Sequence, residues 1–275
     1  MAQRRLTRPP STRVFGVANQ KGGVGKTTTA VNIAAALVRH GFRVLVVDID
    51  PQGNASTALS VEHGEGIPGT YDVLIEGIPM RDVLAECAEL PGLFVVPATI
   101  DLAGAEIELV SMVERETMLR DALDAYLAES QRDGDPYDYV FIDCPPSLGL
   151  LTVNALTASR ELLIPLQCEY YALEGLAALL RTIEQIRDHL NPELHVGAIL
   201  LTMYDARTRL AAGVAAEVRR HFGDLVLHTA VPRSVRISEA PSYGQTVITY
   251  DPGSAGSLSY LEAASELARQ VDGIA

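Results

Sequence analysis

The two lysines of the chain mark a segment whose residues could bind a phosphate. Lys21 and Lys26 are the only lysines among 22 basic residues, and they frame the glycine-rich segment KGGVGKTT. Lysine carries a compact, flexible positive charge, whereas arginine carries a planar one, so the two are not equivalent at a phosphate. Glycines let the backbone turn tightly and direct N–H groups inward. The segment therefore predicts a loop that binds a polyphosphate.

The neighbouring sequence gives this segment the context that a phosphate loop requires. An apolar run, Val14–Ala18, precedes it, and a helical pattern, Thr27–His40, follows it. The loop amides and the positive end of the helix dipole would together favour an anion. Lys26 is predicted to neutralise the β- and γ-phosphates, and the Thr27 hydroxyl to bind Mg²⁺. The predicted nucleotide-binding residues of the loop are Lys21, Gly22, Gly23, Val24, Gly25, Lys26, Thr27 and Thr28.

The loop departs from the standard G-x-x-x-x-G-K-[ST] pattern. Gln20 stands where that pattern has its first glycine, and Lys21 is an additional cation. From the start of the loop, the Lys21 ammonium would point away from the phosphates unless the loop or a second subunit brings it round. An ordinary glycine-rich turn is the alternative interpretation, but the strand before and the helix after favour nucleotide binding.

Three aspartates follow predicted buried strands. Asp48 and Asp50 come after Arg43–Val47, and Asp143 comes after Tyr139–Ile142. A lone aspartate at such a junction is most often a cap, but three acids at the ligand-binding edge of a parallel sheet favour a metal site. We predict that Asp143 binds Mg²⁺ through water, that Asp50 positions or polarises the attacking water, and that Asp48 supports the metal shell or the loop. The predicted metal-site residues are thus Thr27, Asp48 and Asp143, and the predicted catalytic residues at this point are Lys26 and Asp50.

Apolar runs alternate with helical patterns along the chain. The alternation predicts an α/β fold of the P-loop type, with a mostly parallel twisted sheet and helices on both faces. We expect residues 1–13 to form a flexible basic tail and residues 14–275 a single domain with long functional loops at 53–70 and 234–257. Further predicted strands are Leu93–Val96, Glu161–Pro165, His195–Thr202 and Val226–Leu227. Further predicted helices are Glu106–Tyr126, Gly149–Ala158, Leu173–His189, Arg209–Phe222 and Leu258–Val271.

Composition excludes several classes of protein. The 275 residues are 48% hydrophobic and carry a formal net charge of −13, so binding to nucleic acid would require a local basic patch. No apolar run is long enough to span a bilayer, and the N-terminal segment lacks the apolar region of a secretory signal. Cys87, Cys144 and Cys168 have no paired spacing, which predicts core thiols in a reducing cytoplasm rather than disulfides, zinc or iron–sulfur ligands.

Three segments together carry a resemblance to a known family. KGGVGKTT with its leading lysine, DIDPQGN and FIDCPPSLGLLTVNAL resemble the deviant Walker A ATPases of the MinD/ParA superfamily. Within that superfamily the chain is most similar to the ParA/Soj chromosome-partition branch. Three more matching segments are LQCEYYALEGL, LLTMYDARTRL and VPRSVRISEAPSYGQTVITYDP, so the resemblance covers nearly all of the chain after residue 13.

The resemblance implies a mechanism. ATP and Mg²⁺ are the implied cofactors, and two ATP-bound copies would close face to face as a homodimer. In that dimer Lys21 would reach the partner's nucleotide, which adds Lys21 to the predicted catalytic residues. Asp50 matches the acid needed for slow hydrolysis, and Pro232 and Ser234 match positions beside the adenine. Many relatives have asparagine where this chain has Ser234. A ParB-like centromere-binding protein would stimulate hydrolysis through an arginine-bearing peptide, for chromosome or plasmid segregation.

A basic island interrupts this acidic chain. Six arginines and two acids lie between Arg207 and Arg236. The resemblance implies that the ATP-bound dimer binds double-stranded DNA without sequence preference, which would place the protein on the nucleoid in the cytoplasm. Arginine suits contacts to the phosphate backbone. The predicted DNA-binding residues are Arg207, Arg209, Arg233 and Arg236, whereas Arg219 and Arg220 are equally well explained as a solvated helix face.

Three alternative functions remain open at this level. A MinD-like membrane-cycling ATPase would need a basic amphipathic C-terminal helix, and the last segment has Arg269 as its only base, so we expect no membrane binding. A metabolic ATP-dependent enzyme on the same fold and an ATP-binding module without turnover are the others. Glu106–Glu116 is interpreted as a solvated amphipathic helix or a partner surface, and Tyr170 and Tyr171 as core residues.

Overall fold

A single eight-stranded sheet runs through the protein. The computed structural model describes residues 6–270. Every pair of neighbouring strands is parallel except β3 and β4, in the order β3-β4-β2-β5-β1-β6-β7-β8, which confirms the predicted mostly parallel α/β fold. The strands are β1 (Arg13–Val17), β2 (Val44–Asp48), β3 (Ala85–Glu86), β4 (Leu93–Val96), β5 (Tyr139–Asp143), β6 (Glu161–Gln167), β7 (His195–Tyr204) and β8 (Val226–Pro232).

Helices connect the strands and cover the sheet. The helices are α1 (Lys26–Arg39), α2 (Asn54–Ala58), α3 (Leu102–Leu109), α4 (Met118–Arg132), α5 (Leu150–Ala158), α6 (Ala172–His189), α7 (Arg209–Phe222), α8 (Val235–Glu239), α9 (Val247–Tyr250) and α10 (Ala255–Arg269). Within residues 6–270, none of them combines the length and the apolar character that crossing a membrane requires.

The core consists of two apolar layers separated by the sheet. On β5, Tyr139 and Phe141 belong to the layer that includes α1 and α10, whereas Val140 and Ile142 belong to the layer that includes α4, α5 and α6. Phe15 of β1 stacks on Phe141 with ring centroids 5.4 Å apart. Because β5 is buried on both faces, it has the continuous apolar sequence typical of a central parallel strand.

The strand order brings the predicted site residues together. β5 lies between β2 and β1, and Asp143 at its end is in register with Asp48 of β2 and with Val17 of β1. The phosphate loop begins directly after β1. Parallel strands end at the same edge of a sheet, so the two aspartates and the loop meet there.

Several sequence predictions need correction. Arg13, assigned to the tail, begins β1, where its Nε donates to Glu161 Oε1 at 2.7 Å. The helix predicted over Glu106–Tyr126 is two helices, α3 and α4, because the side-chain amide of Asn154 holds the backbone between them. The loops predicted at 53–70 and 234–257 contain α2, α8, α9 and the start of α10. The tail residues 1–5 and the end of the last predicted helix lie outside the described residues.

The exposure of two tyrosines differs from the prediction, whereas the cysteines agree with it. Tyr170 and Tyr171 are exposed in the turn before α6, where their rings pack edge to face on each other with centroids 5.0 Å apart. They were predicted to lie in the core. The cysteines are all buried free thiols, as predicted: Cys87, Cys144 and Cys168.

Candidate functional site

The phosphate loop connects β1 to α1 and is anchored on two further strands. Gly23 and Gly25 have φ angles of 74° and 87°, in the left-handed region that favours glycine. Asn19 Nδ2 donates to the Pro165 carbonyl of β6 at 2.8 Å, and Thr202 of β7 donates to the Val24 carbonyl at 2.8 Å. The loop backbone is therefore held in shape by the sheet before any ligand arrives.

Lys26 lies inside this loop as the first residue of α1. Its side chain is buried, and its Nζ donates to the Lys21 carbonyl at 3.4 Å. Burial lowers the pKa of Lys26, and the charge of Asp143 acts in the opposite direction. A buried ammonium with one weak hydrogen bond lacks most of the partners it had in water, and a phosphate would supply them.

Lys21 takes a different direction. Its ammonium forms an ion pair with the carboxylate of Glu169, in the turn between β6 and α6, and the Lys21 side chain is 46% exposed. The Lys21 amide donates to Asn19 Oδ1 at 3.0 Å. The two lysines of the loop thus lie in different environments, since Lys26 is buried inside the loop and Lys21 is exposed at its edge.

Two cavities meet at the loop. A cavity of about 420 Å³, which we call the phosphate cavity, is lined by the loop and by residues of the β2–α2 segment. A second cavity of about 360 Å³, which we call the base cavity, lies toward β8 and α8. They share Gly25, Thr28 and Pro241. The first contains predicted residues of the phosphate site and the second contains predicted residues of the adenine site: Gly22, Gly23, Gly25, Lys26, Thr27, Thr28 and Asp50, and then Pro232 and Ser234. Two adjoining cavities, one lined by the loop glycines and Lys26 and the other by Pro232 and Ser234, have the arrangement that the phosphates and the base of a nucleotide need.

Several cavity residues were not predicted from the sequence. Gln52 and Asn54 line the phosphate cavity, and Met203 and Ile237 line the base cavity. The DIDPQGN segment contains Gln52 and Asn54, so the motif itself was a signal for these two. Met203 and Ile237 carry no such signal, because an apolar side chain against a base looks like any core residue in sequence.

Asp143 is a buried carboxyl group without partners. Its side chain is fully buried, and neither oxygen has a hydrogen-bond partner. Burial raises the pKa of Asp143 well above its usual range, and the nearby Asp48 raises it further. The Thr27 hydroxyl acts in the opposite direction, although the two groups do not reach hydrogen-bond geometry. An unpartnered buried carboxyl beside a hydroxyl of the phosphate loop fits a magnesium site.

The remaining metal ligands would have to come from elsewhere. No three His, Cys, Asp or Glu side chains in the described part of the chain are grouped so that they could hold a metal ion. Mg²⁺ usually takes one or two protein oxygens and completes its octahedron with phosphate oxygens and water. Thr27 and Asp143 match that mode of binding.

The Asp48 carboxylate accepts hydrogen bonds from neighbouring residues of its own chain. Its Oδ2 accepts from the amide and the hydroxyl of Ser56 at 2.9 and 2.7 Å, and its Oδ1 accepts from the Asp50 amide at 3.2 Å. Burial raises the pKa of Asp48 to about 6, against these hydrogen bonds. Of the two roles predicted for Asp48, these contacts favour support of the loop over direct contact with a metal.

Asp50 faces the phosphate cavity. It lies two residues beyond β2, is 7% exposed, and its Oδ1 accepts from the Gln52 amide at 3.0 Å. That hydrogen bond within a tight turn fixes the carboxylate in the cavity wall.

The four arginines predicted to bind DNA are exposed around the β7–α7 turn and the β8–α8 turn. Arg207 forms an ion pair with Asp205, with Nη2–Oδ2 at 2.8 Å, and Arg236 forms ion pairs with Glu239 and Asp251 at 3.2 and 3.5 Å. Arg209 and Arg233 form no ion pair with any other described residue. All three partner acids lie outside the interval 207–236, so the sequence count overstated the positive charge of the island.

The chain is similar to known proteins along most of its length. The family model described as "AAA domain" matches residues 12–196. The chromosome partitioning protein ParA of Caulobacter vibrioides is 52% identical over 255 residues, which cover 93% of each chain. The sporulation initiation inhibitor protein Soj of Bacillus subtilis is 51% identical over 256 residues, covering 93% of this chain and 98% of Soj. The chain belongs to the ParA/Soj family.

A solved structure is similar to this chain along nearly its whole length. The cobyrinic acid a,c-diamide synthase of Mycobacterium smegmatis, solved with bound ADP and magnesium, is 39% identical with a TM-score of 0.78, covering 95% of this chain and 96% of that one. The ParA/Soj family is a family of P-loop ATPases, and the two cavities of this member lie at its phosphate loop.

Proposed function

We propose that this ParA/Soj member is an ATP-dependent DNA-partitioning protein that dimerises with ATP, binds DNA without sequence preference and hydrolyses ATP slowly. The observation that carries the proposal is the different placement of the two lysines of one loop. Lys26 is buried in the phosphate cavity, whereas Lys21 is half exposed on the rim. A cation on the rim is available to a nucleotide held by a second copy.

Residues of the site can be assigned to nucleotide binding, metal binding and hydrolysis in the proposed ATPase cycle. The loop amides and Lys26 would bind the phosphates, and Pro232 and Ser234 would lie beside the adenine. Thr27 and Asp143 would hold Mg²⁺, which supplies positive charge to the phosphate oxygens. Asp50 would orient a water against the terminal phosphate, and Asp48 keeps the turn that carries Asp50 in place.

DNA binding would depend on dimerisation. Arg209 and Arg233 offer free guanidinium groups, and Arg207 and Arg236 would exchange a carboxylate for a DNA phosphate. One protomer presents few such contacts, and a dimer presents twice as many on one rigid body. A ParB-like partner would stimulate hydrolysis and release the DNA, and the protein would be cytoplasmic and associated with the nucleoid.

A metabolic synthase is the second candidate, because the structural relative from Mycobacterium smegmatis is described as one. An ATP-dependent synthase needs its substrate beside the terminal phosphate. In the described part of the chain, a larger cleft of about 650 Å³ lies between α1 and α10, and it shares no lining residue with the phosphate cavity. The higher identity to ParA and Soj and this separation favour partitioning.

Size-exclusion chromatography with ATP, with ADP and without nucleotide, each repeated with a short DNA duplex, tests the proposal. We expect a dimer with ATP and a DNA complex with ATP alone. A protein that stays monomeric with ATP and hydrolyses it without DNA binding would overturn the partitioning function. ATP turnover that requires cobyrinic acid would instead establish the synthase.

A further inference from the structure

Helix α3 is apolar on two opposite faces. Its buried face contains Leu102, Ala105 and Leu109. Away from that face, Ile107 of α3, Ile100 just before the helix and Val110 directly after it are 78%, 64% and 59% exposed, and we call these three residues the α3 stripe. A helix that is hydrophobic all round is normally buried, and exposed apolar stripes mark interaction sites. One side of α3 therefore lacks its partner.

Carboxylates flank the α3 stripe. At 100° per residue, Asp101 and Glu108 lie along one edge of the stripe and Glu106 along the other. None of the three forms an ion pair within residues 6–270, and Glu106 Oε1 is buried without a hydrogen-bond partner. The nearest cation in sequence, Arg115, binds the Val110 carbonyl and Glu116. The stripe is thus an apolar surface with an acidic border.

This combination of charge and apolar surface selects the kind of partner. DNA and anionic lipid would be repelled by the border. A second copy packed through the same stripe on a twofold axis would place acid against acid, in a chain of net charge −13. We propose that the α3 stripe binds a basic amphipathic segment of a partner protein, whose apolar side chains pack on Ile107 and Val110 and whose Lys or Arg side chains pair with the acidic border.

The stripe is connected to the nucleotide site. The Glu106 carboxylate packs against Gly149 so closely that a side chain at that position would collide with it. Gly149 caps α5 and belongs to the segment that leads from Asp143 to that helix. A partner that contacts Glu106 would therefore affect the position of the segment between Asp143 and α5, beside the proposed metal site. The inference rests on the proposed function, in which a ParB-like protein stimulates hydrolysis.

The test combines Ile107→Ser with Val110→Ser in the full chain. Both side chains are exposed, so the fold should be retained. The matched control is Leu258→Ser, an apolar residue of α10 that is 51% exposed. The probe is the full-length ParB-like protein encoded by the same genome, with ATP, in a calorimetric titration. We expect binding to weaken roughly tenfold or more in the double variant and to stay unchanged in the control.

A second variant tests the charge. Asp101→Asn with Glu108→Gln should weaken the same binding and reduce its salt dependence, with ATP affinity and ATP-dependent dimerisation as in the wild type. Unchanged binding in both variants would overturn the inference, and so would loss of the ATP-dependent dimer in the stripe variant, which would assign the stripe to the contact between copies. Failure of the wild type itself to dimerise or bind DNA would instead count against the proposed function.

Discussion

The ammonium of Lys21 and the carboxylate of Glu169 form an ion pair within one chain, while the backbone carbonyl of Lys21 accepts a hydrogen bond from Lys26 at 3.4 Å. The side chain that is proposed to act on a second copy is thus held by its own chain in the protomer. Both partners of the pair are a third or more exposed, so the pair contributes only about 0–1 kcal/mol. Such a contact can be exchanged for a phosphate when a second copy arrives.

Lys21→Ala should separate nucleotide binding from dimerisation. The variant keeps the Lys26 ammonium and the loop amides, so it should bind ATP within a few-fold of the wild type. It should lose ATP-dependent dimerisation and turnover, measured by light scattering and phosphate release. Lys26→Ala is the matched control and should lose nucleotide affinity itself. Normal dimerisation of Lys21→Ala would refute the role in a second copy.

Glu169→Gln should make dimerisation easier. The amide keeps the shape of the side chain and removes the charge that holds Lys21, so the dimer should form at up to about fivefold lower protein concentration with ATP. Glu174→Gln, an exposed acid of α6 that forms no ion pair in the described residues, is the control. Weaker dimerisation would show that Glu169 instead helps Lys21 within the dimer.

Asp50→Ala should trap the ATP-bound state. The carboxylate faces the phosphate cavity, and the substitution removes the group that we propose orients water while it leaves Lys26 and the loop amides in place. We expect hydrolysis to fall about a hundredfold or more. ATP binding and the ATP-dependent dimer should persist in size-exclusion chromatography. Substantial turnover by this variant would assign the water to another residue.

The stability of the nucleotide-free protein should fall as pH rises from about 4. Burial raises the pKa of Asp48 to about 6 and the pKa of Asp143 in the same direction, from an ordinary 3.8. In that window the native state binds protons that the unfolded state has released, so the free energy of unfolding decreases by up to about 1.4 kcal/mol per pH unit for each group.

Thermal denaturation between pH 5 and pH 8 checks this. Asp143→Asn should flatten the decrease, while Asp121→Asn, on an exposed part of α4, should leave it as in the wild type. Mg²⁺ with ADP requires the ionised carboxylate, so it should raise the melting temperature more at pH 8 than at pH 5. Equal stabilisation at both values would argue against Asp143 at the metal.

Arg207→Ala with Arg236→Ala should weaken DNA binding and spare ATP binding. Each lost phosphate contact should lower the slope of log K against log salt by about 0.9. Arg160→Ala with Arg187→Ala is the control, since these exposed arginines also pair with carboxylates but lie outside the island. Unchanged DNA affinity across a salt series would reject the predicted surface.

Local patterns in the sequence were sufficient for the phosphate loop and the parallel sheet. The glycines of the loop, the apolar runs of β2 and β5 and the acids that follow them fix backbone shape and burial over short stretches. The same patterns failed at the helix predicted over Glu106–Tyr126, because the break depends on Asn154, more than thirty residues away in the chain. Helical periodicity contains no information about such a contact.

Residue types and their spacing were enough to identify which residues could do chemistry: a phosphate loop, two lysines and three aspartates at strand ends. How these residues are used depends on the fold. In the folded chain Asp48 accepts hydrogen bonds from Ser56, and Asp143 has no hydrogen-bond partner. Lys21 forms an ion pair with Glu169, and the α3 stripe is exposed. The reason is physical: residue type and spacing set local conformation, but the charge and solvation of a side chain depend on neighbours that the order of strands in the sheet brings together.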